Sequence, residues 1–274
     1  MIMLRAKYVL LWVRDVSFLA LLYVIAAKLG LFLAIPPGFS TSIWPPSGIA
    51  LAWLIIFGYS RSPGVLIGSF LINLYIASGT SDIGNNEVLV ALAIACGSTV
   101  QAIVGAFLIK KFVKLPTILD KEMDVFVFIL IAGPVSSTIS TSIANTALLI
   151  AGNITPDRYF FSWWTWWIGD SIGAIIFAPI LLILSETLEV ISLFRKAAII
   201  MPLVAMFSAV VLCFVTVRNA EEKRFFEKQN EILTKVFATN SYEEGVAILK
   251  SDESIKLLSD QANLIDQIKE RPEE

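Results

Sequence analysis

The sequence predicts an all-α polytopic membrane protein, a bundle of about seven transmembrane helices followed by a helical C-terminal tail. Three observations lead there. Of 274 residues, 57% are hydrophobic and 16% charged, with mean hydropathy +0.77, which describes a membrane protein and excludes a soluble domain with a large core. Apolar runs near the length that crosses a hydrocarbon core of about 30 Å recur along the chain. Basic residues gather in alternate connections, as topology signals do.

The runs fall at 16–35, 43–59, 63–78, 88–109, 124–151, 161–184 and 198–217. Arg5, Lys7 and Arg14 precede the first, and no small-residue cleavage site follows it, so it reads as a retained span. Pro36-Pro37-Gly38 and Trp44-Pro45-Pro46-Ser47-Gly48 bracket the next connection. Proline suits the first turn of a helix, so Pro45-Pro46 is expected to open the second span and hold Trp44 near the mouth of a pocket. Gly64, Gly68 and Ser69 in the third run, and Gly97 with Gly105 in the fourth, fit close helix packing.

The fifth run is long and contains Gly133-Pro134, which predicts a kink or broken helix and a candidate hinge. Read instead as a re-entrant pair, it would reverse the orientation of everything after it. Seven spans are preferred because each half is too short to cross alone. Arg61, Lys110, Lys111, Lys114, Lys121, Arg195 and Lys196 then share a side with the amino-terminus, which the basic-loop rule makes cytoplasmic.

Two domains follow, 1–217 in the membrane and 218–274 as a helical, extracytoplasmic tail or stalk. Arg218, Lys223, Arg224 and Lys228 at its start argue for the opposite side. The tail predicts two helices about a turn at Thr239-Asn240-Ser241.

Composition also removes chemistry. Histidine is absent, so the chain holds no Ser-His-Asp group, His-ligated metal or phospho-accepting histidine. Neither cofactor nor metal is expected. Net charge −2 gives no reason to expect nucleic acid, and Cys96 and Cys213 in apolar runs read as buried packing residues.

Ionisable residues within spans are costly, and Lys28 and Asp170 stand out. Their depths permit an intramembrane ion pair, which is the expected arrangement. Trp163, Trp166, Trp167 and Asp170 lie at helical spacing on one face of SWWTWWIGDS (162–171). Asn73, Gln101 and Asn145 add polar groups toward the same leaflet. Together they predict an outward-facing pocket with aromatic walls for a small organic ligand.

The strings AAKLG (26–30), PPG (36–38), IWPPSGIALA (43–52), PGVLIGSFLINL (63–74), GSTVQAIVGAFL (97–108), GPVSSTIS (133–140) and WTWWIGDSIGAIIFAPILL (164–182) resemble one known family. It is the first type of membrane-associated sensor domain, the MASE group of bacterial input modules. The resemblance spans roughly 16–217. It departs at Gln101 and Ser98, where members of the family carry an acid and an amide.

That resemblance implies a sensor in the bacterial inner membrane, ahead of a histidine kinase or diguanylate cyclase, hence two-component or cyclic di-GMP signalling. No output motif follows, so the chain reads as a fragment or as a module acting through a partner protein. The tail is similar to the start of an extracellular CHASE-like segment. Expected partners are membrane lipids, an unidentified small molecule, a signalling output and a second copy in a homodimer. A small transporter or channel component is the alternative. An enzyme is not expected, because Asp170 has neither a nucleophile and base pair nor a metal set beside it.

Overall fold

The computed structural model describes residues 2–31, 41, 43–79, 83–113, 122–185 and 193–238. Each apolar run of the sequence holds a helix among the described residues. The helices are α1 (Ile2–Leu31), α2 (Pro45–Phe57), α3 (Ser62–Ser78), α4 (Asn85–Phe112), α5 (Glu122–Leu130), α6 (Ser136–Ile150), α7 (Pro156–Leu184) and α8 (Leu193–Ala238). The protein is an all-α membrane helix bundle.

Four stretches are long and apolar enough to cross a membrane: Lys7–Leu31, Asn85–Phe112, Glu122–Ile150 and Pro156–Leu184. The third joins α5 and α6 through a π turn, Ile131–Val135, which contains Gly133 and Pro134. Proline cannot donate its N–H and its ring crowds the preceding turn, so a wider turn is the local solution. The predicted irregularity is therefore a bulge in one continuous stretch, and not a re-entrant pair.

The expected second span is shorter than predicted. At 13 residues α2 is about 20 Å long, short of the roughly 30 Å core. It is also the most enclosed helix, with ten of its thirteen residues buried. Helices α1, α4 and α7 all pack against it.

On α1 the buried residues Leu19, Tyr23, Ala26 and Ala27 face inward, while Phe18, Leu21, Ile25 and Leu29 form an exposed apolar row. Such a row suits lipid. Helix α3 lies so close to α1 that a Cβ on Gly68 would stand 2.7 Å from the Tyr23 Cβ. The small residues of α3 thus serve packing, as expected.

One end of the bundle collects positive charge. Arg61 and Arg14 both pair with Asp15, at 3.4 and 2.8 Å, and the Trp12 indole N–H donates to the Ser60 carbonyl at 2.7 Å. Lys110 Nζ donates to the Leu54 carbonyl at 3.2 Å. Arg14, Arg61 and Lys110 thus share one end, as the loop charges predicted.

Cys96 corrects its expectation. Its side chain is exposed on α4, at a position that turns away from the packed face. The Cys213 side chain lies outside the described residues.

The chain divides into two compact units, Met1–Val210 and Val211–Glu274. The predicted boundary at 217 falls inside the continuous α8. The predicted turn at 239–241 and the second tail helix lie outside the described residues.

A buried polar junction between two helices

The first turn of α2 is pressed against the middle of α7. The Trp44 backbone N–H donates to the Gly169 carbonyl at 2.9 Å. The Ser47 hydroxyl lies 2.8 Å from the Asp170 carbonyl oxygen and 2.9 Å from that of Trp44. This approach needs glycine. A Cβ on Gly173 would land on the Trp44 carbonyl oxygen, and one on Gly48 on the Gly173 carbonyl. The WPPSG and WWIGDSIG strings are thus the two halves of one backbone-to-backbone contact.

Proline and serine solve the electrical problem of starting a helix inside a bundle. The first four N–H groups of a helix lack intrahelical partners. Pro45 and Pro46 at the first helical positions have no N–H, so two of those donors do not exist.

Around the contact lies a polar core drawn from several helices. Asp170, 8% exposed, directs its carboxyl at the Ser140 hydroxyl of α6. The Tyr23 hydroxyl of α1 meets Ser69 and Ser98, which are 3.3 Å apart. Gln101 Nε2 donates to Ser137 Oγ at 3.3 Å. Tyr23, Ser47, Ser98, Gln101, Ser136 and Asp170 line a cavity of about 10 Å³, room for about one water. Thr141 Oγ1, Asn145 Oδ1 and Ser171 Oγ are buried without a hydrogen-bond partner among the described residues.

The expected ion pair is not formed. The Lys28 side chain is exposed, and its ammonium sits 4.3 Å above the centre of the Tyr75 ring. Lys28 occupies the last turn of α1, where a cation meets unpaired carbonyls and the negative end of the helix dipole. The Asp170 carboxyl faces the Ser140 hydroxyl instead.

The aromatic entrance also differs. Trp163 and Trp167 stack at 6.1 Å between ring centroids, and Trp164 stacks on Trp167 at 5.0 Å. Their indole N–H groups donate to α6 and the π turn, Trp163 to Ser142 Oγ at 3.1 Å and Trp167 to the Pro134 carbonyl at 2.9 Å. They fasten α7 to its neighbour and do not border the cavity, and Trp166 is half-buried beside them without bordering it either.

Trp44 is not at a mouth, because its own backbone bond ties it level with the middle of α7. The Asn73 side-chain amide donates back to the Ser69 carbonyl at 2.8 Å, and that of Asn145 to the Thr141 carbonyl at 3.0 Å. Each bonds back to the carbonyl four residues earlier on its own helix. Of the predicted polar set, the structure brings Gln101 and Asp170 together at the cavity and leaves Lys28, Asn73 and Asn145 outside its lining.

Tyr23, Ser47, Ser136 and Ser140 belong to the site and were not singled out by cost of burial, since hydroxyls are cheap to bury. The signal available was the hydroxyl-rich run SSTISTS (136–142) inside an apolar stretch. Gln101 and Ser98, where the resemblance departs, both line the cavity.

The family model of MASE1 matches residues 16–221. No curated protein and no solved structure matches the chain. The match covers well over half of the chain and takes in α2, α7 and all the cavity-lining residues, so the chain belongs to the MASE1 family, integral membrane sensor domains of bacteria.

Proposed function

We propose that the junction between α2 and α7 is the sensing element, an input module in which a small ligand or a state of the membrane changes how α2 packs. The observation that supports it most is the pairing of a tight backbone contact with an undersatisfied polar core. Thr141, Asn145 and Ser171 hold buried oxygens with no partner among the described residues, at a cost that another packing would relieve. A ligand moves such an equilibrium only by preferring one packing over the other. The cavity of about 10 Å³ admits no organic molecule, so an organic trigger would bind the packing in which α2 has moved off α7.

In this reading the module is non-enzymatic and lies in the inner membrane with its basic end cytoplasmic. The π turn at Gly133 and Pro134 serves as hinge. The change is passed to a kinase or diguanylate cyclase output, on this chain or on a partner, and a homodimer is the natural assembly for it. A small transporter is the second reading, favoured by one feature: a helix that begins inside the bundle, as substrate-binding helices of transporters do.

Spin labels at Phe57 and Leu184, the ends of α2 and α7, test the proposal in vesicles of short- and long-chain phospholipid and with a panel of small solutes. Both native cysteines are replaced first. A distance distribution with two populations, whose ratio shifts with lipid or solute, is expected. A single distance unchanged throughout, together with solute flux in the same vesicles, would remove the sensor mechanism and favour transport.

A further inference from the structure

The basic end of the bundle carries a second cavity, remote in chemistry from the first. An open groove of about 230 Å³ is lined by Arg14, Asp15 and Phe18 of α1 and by Trp53 and Phe57 of α2. Its floor is an aromatic ladder. Phe18 and Trp53 stand 5.5 Å apart and Trp53 and Phe57 4.5 Å apart between ring centroids. Phe18 and Phe57 are exposed and belong to the lipid-facing surface.

The rim is ionic and positive. Arg14 and Arg61 share the single carboxylate of Asp15, so the cluster carries one excess positive charge. Arg14 spends Nε and Nη2 on Asp15, and its Nη1 makes no bond among the described residues. Its side chain is 70% exposed. Trp53 Nε1 is buried and has no hydrogen-bond partner among the described residues. An unpaired indole N–H in an apolar wall is unusual, because buried polar atoms are nearly always satisfied.

We infer that this groove seats an anionic phospholipid, its phosphate at Arg14, the start of an acyl chain along Phe18 and Phe57, and an ester or phosphate oxygen accepting from Trp53 once a turn of the indole brings its buried N–H to the groove. Charge chooses between lipids. An anionic headgroup meets the excess positive charge, whereas the ammonium of a zwitterionic headgroup finds the one acid that lines the groove among the described residues already taken by two arginines. The groove also sits where lipid is the solvent, since Phe18 begins the exposed row Phe18, Leu21, Ile25 and Leu29. A polar head above an aromatic floor that continues into hydrocarbon fits an amphiphile better than a soluble anion.

The inference is independent of what the α2–α7 junction senses. Native mass spectrometry of the full chain, titrated with phosphatidylglycerol and with phosphatidylcholine of the same acyl chains, reads it directly. Wild type is expected to retain phosphatidylglycerol in preference. The preference is expected to fall about tenfold in Arg14→Gln, the loss of one charge-assisted contact, and about threefold in Trp53→Phe, which keeps the aromatic floor. Lys111→Gln, an exposed cation at the same end that does not line the groove, should leave it unchanged.

If Arg14→Gln fails to fold, Trp53→Phe decides alone. Equal retention of the two lipids, a preference unaltered in Arg14→Gln and Trp53→Phe, or the same loss in Lys111→Gln would overturn the assignment. So would equal binding of soluble glycerol phosphate, which would make the groove a plain anion site.

Discussion

Two carboxylates, Asp15 and Asp170, are each 8% exposed, and the bundle keeps them in opposite ways. Asp15 sits at the basic end between two arginines, beside an open groove. Asp170 lies midway along α7 with no cation in ion-pair reach among the described residues, against the hydroxyl of Ser140 and a cavity of about 10 Å³. One acid is a charge neutralised where water and headgroups are near. The other is a polar group set against a neutral hydroxyl inside a close-packed contact. Burial alone therefore does not say how an acid is tolerated, since the partner type differs at equal exposure.

The largest effect should come from spoiling the approach at the second acid. Gly173→Leu drives a side chain into the Trp44 carbonyl, and a cost of about 3 kcal/mol or more is expected. Size-exclusion profiles and thermal unfolding in detergent would show loss of the folded peak, and a wild-type profile would mean that α2 does not dock as described.

Neutralising each acid sharpens the contrast. Asp15→Asn strands Arg61 and should cost about 2 kcal/mol, below the roughly 3–5 of a fully buried pair because Arg14 is open to solvent. Asp170→Asn keeps a polar group among hydroxyls and should cost under about 1 kcal/mol. Equal losses in thermal unfolding would erase the distinction.

Ser47→Ala removes a hydroxyl shared between two carbonyls and should destabilise by about 1 kcal/mol, with the loosened junction visible as faster exchange of the Trp44 amide that bonds the Gly169 carbonyl. The smallest effect is expected at Lys28→Met, about 0.5 kcal/mol from the lost contact with Tyr75. Combined with Asp170→Asn it should be additive to within about 0.5 kcal/mol. A larger coupling would restore the ion pair that the geometry denies.

Much of this architecture could be read from residues alone. Period and length placed the helices, loop charge placed Arg14, Arg61 and Lys110 at one end, and Gly133-Pro134 marked the π turn. Asp170 was found because a charge inside a span is expensive. Its partner was not, because reasoning by cost looks for the opposite charge, whereas a cheap hydroxyl such as that of Ser140 leaves no such mark. The tryptophans misled for a related reason. An indole N–H can be spent on a neighbouring carbonyl as readily as a ring face on a ligand, and spacing along α7 does not distinguish the two.

The contact between Ser47 and Asp170 joins positions 123 residues apart. During synthesis α2 therefore enters the bilayer long before the helix that receives it exists. A 13-residue helix with an unpaired first turn is a poor resident of hydrocarbon, and the two prolines reduce the number of bare donors it must carry meanwhile. Assembly of the bundle cannot close until α7 has been made, so the order of the chain itself delays the sensor's core to a late step of its biogenesis.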